Sequence, residues 1–314
     1  PVAINADLTL TQLIAASGSE LPLLATQQSK LHLEGSFNSG KAQLSSEHLQ
    51  IELPQIFAEA EHGLQQLQAE LSWQRGGQAA DAPLDITLHK ARFHNAHASG
   101  GEAQGRYRYL PDQPGIIDLT AHLGKADGNV VWRYLPKALN AEARDWVRAA
   151  ITAGKGHDAQ LILRGDLRQF PFRNPQEGLF RVTAKITEGE RHYAPSWPVI
   201  TDIHGTLLFE GARMLIKAEQ GNILGARLSH VSAEIPDLDA GEGRKLHIHG
   251  QAQGETRQFL DFISLSPVRE QINGFTDHMK AEGKGALTLQ LQLPLEHLEH
   301  SKVKGDYQFT GNKL

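Results

Sequence analysis

Cysteine is absent from the 314 residues, which excludes disulfides, thiolate metal sites and cysteine nucleophiles. A thiol-free chain suits an oxidising compartment without requiring one. Aromatic residues are scarce, at 6%, so the large rings that often anchor β-sandwich cores are in short supply. No run of about 18 apolar residues occurs, so no helix is built to span a bilayer. The net charge of -5 comes from 31 basic and 36 acidic residues spread along the chain, leaving no basic patch for nucleic acid or an anionic membrane surface. Gly-x-Ser-x-Gly, His-Glu-x-x-His and Gly-x-x-x-x-Gly-Lys-Ser/Thr patterns are also missing, so nothing points to an enzyme, and no catalytic residue or cofactor is expected. The chain begins at Pro1 without Met or a signal-peptide pattern and stops at Leu314 after a strand-like stretch. Both ends read as cuts within a longer chain, with any anchor outside this segment.

What is present is a period of two, the mark of strands with one dry face. From 287 to 293, Leu287, Leu289, Leu291 and Leu293 alternate with Thr288, Gln290 and Gln292, and from 180 to 186 Phe180, Val182, Ala184 and Ile186 alternate with Arg181, Thr183 and Lys185. Further strands follow at short spacing, separated by Glu210-Gly211, by Gln220-Gly221-Asn222 and by the Asp237 to Gly241 stretch. The spacing predicts about fifteen strands in an antiparallel meander. A template of apolar-x-apolar-x-Gly-x-apolar recurs around Gly35, Gly165 and Gly250, with partial copies at Gly205 and Gly305. Glycine on the apolar face is expected to bend each strand and open space before the sheet, curling it into a trough.

Helical spacing is confined to two places. One helix is expected at about 140–154, from Asn140 through Trp146, Val147, Ala150 and Ile151 to a stop at Gly154-Lys155-Gly156, capping the sheet with Trp146 or gating it. A helical insert is expected at about 255–275, carrying Phe259, Phe262 and Ile263 and broken before Pro267. Such short helices cannot cover about fifteen strands, so the apolar face needs either a second sheet or an apolar ligand. Periodicity does not separate these two solutions. The aliphatic inventory and few rings favour the ligand-filled groove, and the alternative is a structural or adhesive β-sandwich or solenoid with a closed core.

The sixteen histidines raise a metal question. His247 and His249 share the polar face of one strand, and His297 and His300 are three apart, but neither pair has a third ligand at convincing spacing. All four read as surface residues, with no metal expected. The Asp237 and Asp239 carboxylates fall in a turn, and Phe170-Pro171-Phe172 and Trp197-Pro198 read as rigid strand-exit corners that pack aromatic rings.

The segments Val131-Trp132-Arg133-Tyr134-Leu135-Pro136, Ala143-Arg144-Asp145-Trp146, Gly165 to Phe172 and Tyr193-Ala194-Pro195-Ser196-Trp197-Pro198 resemble the YhdP-type AsmA-like family. The likeness runs from about 115 to 314, ends in Gly305-Asp306-Tyr307-Gln308-Phe309, and is fainter before 115. It implies a mainly β, extended, curled antiparallel sheet forming an apolar groove with two or three short helices. It also implies the periplasmic region of an inner-membrane-anchored envelope protein. Such a protein is a conduit that shields phospholipid acyl chains between the inner and outer membranes, which it would reach through parts outside this chain; no nucleic acid and no particular protein partner is implied. The expected division is an N-terminal groove segment, 1–125, and a second, 126–314, within one continuous structure. The side chains expected to face acyl chains are Leu161, Leu163, Val182, Ile186, Leu207, Phe209, Ile216, Leu246, Ile248, Leu287, Leu289, Leu291 and Leu293.

Overall fold

A computed structural model describes residues 3–15, 23–52, 61–77, 79, 82–134, 141–191 and 197–313. Two compact units emerge: unit 1 comprises Pro1–Ala126, Arg133–Ala138 and His157–Thr183, and unit 2 comprises Asp127–Trp132, Leu139–Gly156 and Ala184–Leu314. Fifteen strands follow one another in sequence order in one sheet that does not close into a barrel.

Unit 1 is built on β1 (Ile4–Ala15), β2 (Leu23–Gly35), β3 (Ser39–Glu52), β4 (Glu61–Arg75), β5 (Leu84–His94), β6 (Ala98–Leu110) and β7 (Gln113–Asp127). Most of β8 (Ile151–Asp166) and the start of β9 (Gly178–Arg191) also belong to it. Unit 2 continues through β10 (Ile200–Glu210), β11 (Arg213–Ile223), β12 (Ala226–Ile235), β13 (Lys245–Glu255), β14 (Glu282–Pro294) and β15 (Lys302–Lys313). Its helices are α1 (Ala141–Ala150), α2 (Thr256–Ser264) and α3 (Val268–Gln271). Strands of 10 to 16 residues exceed the apolar alternations that announce them, because flanking Thr, Gln, Ser and Lys positions extend the ladder on the wet face.

The helix expected at 140–154 ends earlier. It stops at Ala150, and Ile151, with Thr152 after it, opens β8, since β-branched side chains fit a pleated strand better than a helix. Gly154, at φ +119°, is a strand residue and not a helix stop. Asn140 and the Trp146 side chain lie outside what is described; Arg148 of α1 stacks on the Trp132 ring at 4.4 Å. The helical insert is broken at Pro267 as expected, and Glu255 caps α2 through a reciprocal capping box with Gln258.

The template glycines serve a different purpose from the one expected. A Cβ at Gly205 would lie 2.1 Å from the Lys217 carbonyl oxygen, and one at Gly250 would lie 3.0 Å from Val231 Cγ2. Gly35, Gly165 and Gly205 permit close strand approach, whereas at Gly250 and Gly305 a Cβ would first meet side chains. Left-handed residues inside strands mark bulges instead: Asp202 (φ 53°) and His230 (φ 50°) coincide with register shifts in β10 and β12.

Several other glycines lie under rings. A Cβ at Gly40, Gly101, Gly178 or Gly285 would strike Trp73, Phe93, Phe172 or Tyr307 within 2.7 Å. An aromatic laid over a bare strand glycine restores the lost packing. At the β8–β9 corner, Phe172 is buried and Phe170 packs against Phe180 at 5.1 Å.

Candidate functional site

Register assembles the dry face of unit 1 row by row. One row crosses seven strands as Ala6, Leu33, Ala42, Leu71, Leu88, Gly105 and Leu119. The next runs Leu8, Leu31, Leu44, Ala69, Ala91, Ala103 and Ala121, and the third Leu10, Ser29, Ser46, Leu67, Phe93, Gly101 and Leu123. From β4 to β7 the middle row is alanine throughout, a low floor between rows bearing Leu71, Leu88 and Leu119 on one side and Leu67, Phe93 and Leu123 on the other. Because rows run across strands, this gutter follows the sheet's long direction.

No α-helix lies in unit 1 among the described residues, yet Leu33, Leu71, Leu88, Leu119 and Leu123 are half-buried. Neighbouring aliphatic side chains along a row shade one another in this way. The hydroxyls of Thr26, Ser29 and Ser46 are the polar inclusion in this face. They are buried and satisfy one another, with Thr26 Oγ1 2.7 Å from Ser29 Oγ.

The opposite face is charged. Arg108 donates to Asp85 at 2.6 and 3.1 Å, Arg92 to Glu102 at 3.1 Å and Arg164 to Asp118 at 3.1 Å, all across strands and exposed. Exposed pairs of this kind add little to stability and chiefly keep that face wet.

In unit 2 the dry face is covered. Phe209, Met214, Ile235, Leu246 and Leu293 are almost fully enclosed, and Leu238 folds onto that end with its N–H donating to the Ala212 carbonyl at 2.7 Å. Leu207, Ile216, Ala233, Ile248, Leu291 and Val303 form the adjoining row. Ile248 of that row, with Leu287 and Leu289 beyond it, stays half-buried beside a cavity of ≈ 60 Å³ whose other wall is Phe259 and Phe262 of α2.

The structure thus brings ten of the thirteen expected residues into unit 2 and three, Leu161, Leu163 and Val182, into unit 1. Leu161, Leu163, Val182 and Ile186 are half-buried on β8 and β9. A groove segment was expected over 1–125, but no side chain of β1–β7 was named among the acyl-facing residues, because alanine and glycine fill many inward positions and weaken the hydrophobic alternation. Its readable signal is small residues at matched positions, such as Ala91, Ala103 and Ala121.

His247 and His249 stand exposed on the polar face, paired in register with Gln292 and Gln290. At the other histidine pair the structure supplies the third group that spacing did not suggest: ligand atoms of His297, Glu299 and His300 lie within 4.8 Å of one another. The Glu299 carboxyl is held below the usual range by its own backbone N–H and by His297. With side chains 53%, 65% and 73% exposed, the three lack the oriented outer shell of a tight metal site and read as a surface ion-pair cluster.

A family model described as YhdP protein matches residues 7–314. The chain is 27% identical over 254 residues to the intermembrane phospholipid transporter YhdP of Escherichia coli (strain K12), a match covering 79% of this chain and 19% of that relative. The chain therefore spans about a fifth of the relative's length. No solved structure matches it.

Proposed function

The chain belongs to the YhdP family, and from that premise we propose that the dry face of unit 1 carries phospholipid acyl chains along the alanine floor. The observation behind this reading is an apolar face across seven strands, half-shaded, with no α-helix in unit 1 among the described residues. An acyl chain of about sixteen methylenes forfeits about 13 kcal/mol when exposed to water, at about 0.8 kcal/mol per methylene. A floor that repeats from strand to strand lets such a chain advance without crossing that barrier. The headgroup stays at the open side of the groove, and no side chain performs chemistry.

The similarity to an intermembrane phospholipid transporter supports phospholipid as the cargo and an envelope location for the longer protein, with this segment in the periplasm. The reading is tested by native mass spectrometry of the protein purified with gentle detergent. Phospholipid adducts are expected, and they fall away in Ala103→Trp, whose ring fills the floor. A folded protein that carries no lipid at any detergent level favours a structural sheet instead.

A further inference from the structure

Resting on the carrier reading above, we propose that α2 is an exchangeable lid. The apolar strip of β12–β14 beneath it is a second acyl-chain site, covered by α2 when empty and uncovered when filled.

The argument begins with topology. β13 and β14 pair through Gly254 opposite Gly285 and Glu255 opposite Lys284, and the chain between them, 256–281, leaves the sheet and turns back over its dry face. Phe259 and Phe262 are buried and share one cavity with Leu228, Ile248, Leu287 and Leu289. The cavity left beside the two rings is small, ≈ 60 Å³, so α2 takes up most of the strip that an acyl chain would cover.

The two ends of this face are closed by different means. Around Leu246 and Leu293 the cover is complete and tied by a main-chain hydrogen bond at Leu238. Under α2 the leucines remain half-buried and the ties are side-chain contacts at discrete points. Tyr307 donates from Oη to Thr256 Oγ1 at 2.8 Å and meets Phe259 edge-on at 5.0 Å; Phe262 lies 5.9 Å from Trp197. The Gln258 amide sits where Cβ atoms at Gly225 and Gly254 would be, 2.4 and 2.2 Å away, so two bare glycines make its seat.

A helix of nine residues does not persist alone in water and depends on such contacts. Phe259 and Phe262 thus stand in for apolar cargo, and cargo that covers the same strip replaces what they supply.

The test uses the full-length protein in which Thr256→Cys and Tyr307→Cys are the only cysteines, bridged by a reducible bis-methanethiosulfonate. A photo-crosslinking amino acid is placed at Leu289 under the lid or, for reference, at Leu119 in unit 1. Bridged protein is expected to lose phospholipid capture at Leu289 by tenfold or more while Leu119 still captures, and reduction restores it. Tyr307→Phe, a conservative change, raises capture at Leu289 relative to Leu119 severalfold. Equal capture at Leu289 before and after reduction overturns the lid. Capture at Leu119 with none at Leu289 in any state also overturns it, making α2 a fixed cover. Silence at both positions sinks the carrier reading itself, and the lid with it.

Discussion

At the residue scale, glycine decides where strands can approach. At Gly205 an added methyl meets backbone, the Lys217 carbonyl and Ala218 Cα, and cannot be accommodated by turning a side chain. Gly205→Ala is expected to destabilise the protein by about 1–3 kcal/mol in urea denaturation. At Gly63 of β4 nothing lies within 4 Å, so Gly63→Ala is expected to be neutral or slightly stabilising. A similar loss at both positions would show that close strand contact does not set the cost at Gly205. The sequence made the glycine template visible but not its purpose, because spacing reports that a side chain is missing and not which neighbour fills the place. Rings such as Tyr307 over Gly285 belong to another strand, out of reach of any local pattern.

At the scale of elements, exposure separates a covered core from an open face. Leu246→Asp places a charge in a site closed to water, and a loss of several kcal/mol with cooperative unfolding is expected by circular dichroism. Leu88→Asp, in the half-shaded row of β5, leaves the carboxylate able to reach water, and the expected result is a folded protein with impaired lipid carriage. The helical insert was legible from the spacing of Phe259, Phe262 and Ile263 and from Pro267, whereas the end of α1 was not. Local helical spacing there ran on into Ile151, and it was pairing in β8 that claimed the residue for the sheet. Behind α2, Arg269 binds Asp277 in a two-pronged pair at 2.9 and 2.8 Å, and that hydrogen bond holds the Asp277 carboxyl below its ordinary value of 3.8. A lowered carboxylate contributes stability above its unfolded value and loses it as pH falls through the folded one. Capture at Leu289 is therefore expected to change as acid protonates Asp277, at a pH below the ordinary Asp value of 3.8.

At the scale of the whole molecule, the strand order is the sequence order, so every pairing between neighbours is local in the chain and a meander was readable from turns alone. What the alternation could not convey is the division of labour between a face left open in unit 1 and one covered in unit 2. Both need the same inward aliphatic residues, and only burial tells them apart. The proposed reading joins a cargo, taken from the similar transporter, to this geometry and assigns it to the open face of unit 1. The central claim is tested most directly by a photo-crosslinking scan through consecutive positions of β5, β6 and β7 in the full-length protein. Phospholipid capture is predicted at Leu88, Ala103 and Leu119 and not at their neighbours Thr87, Glu102 and Asp118. Capture without that two-residue rhythm, or none at any inward position of a folded protein, would contradict it.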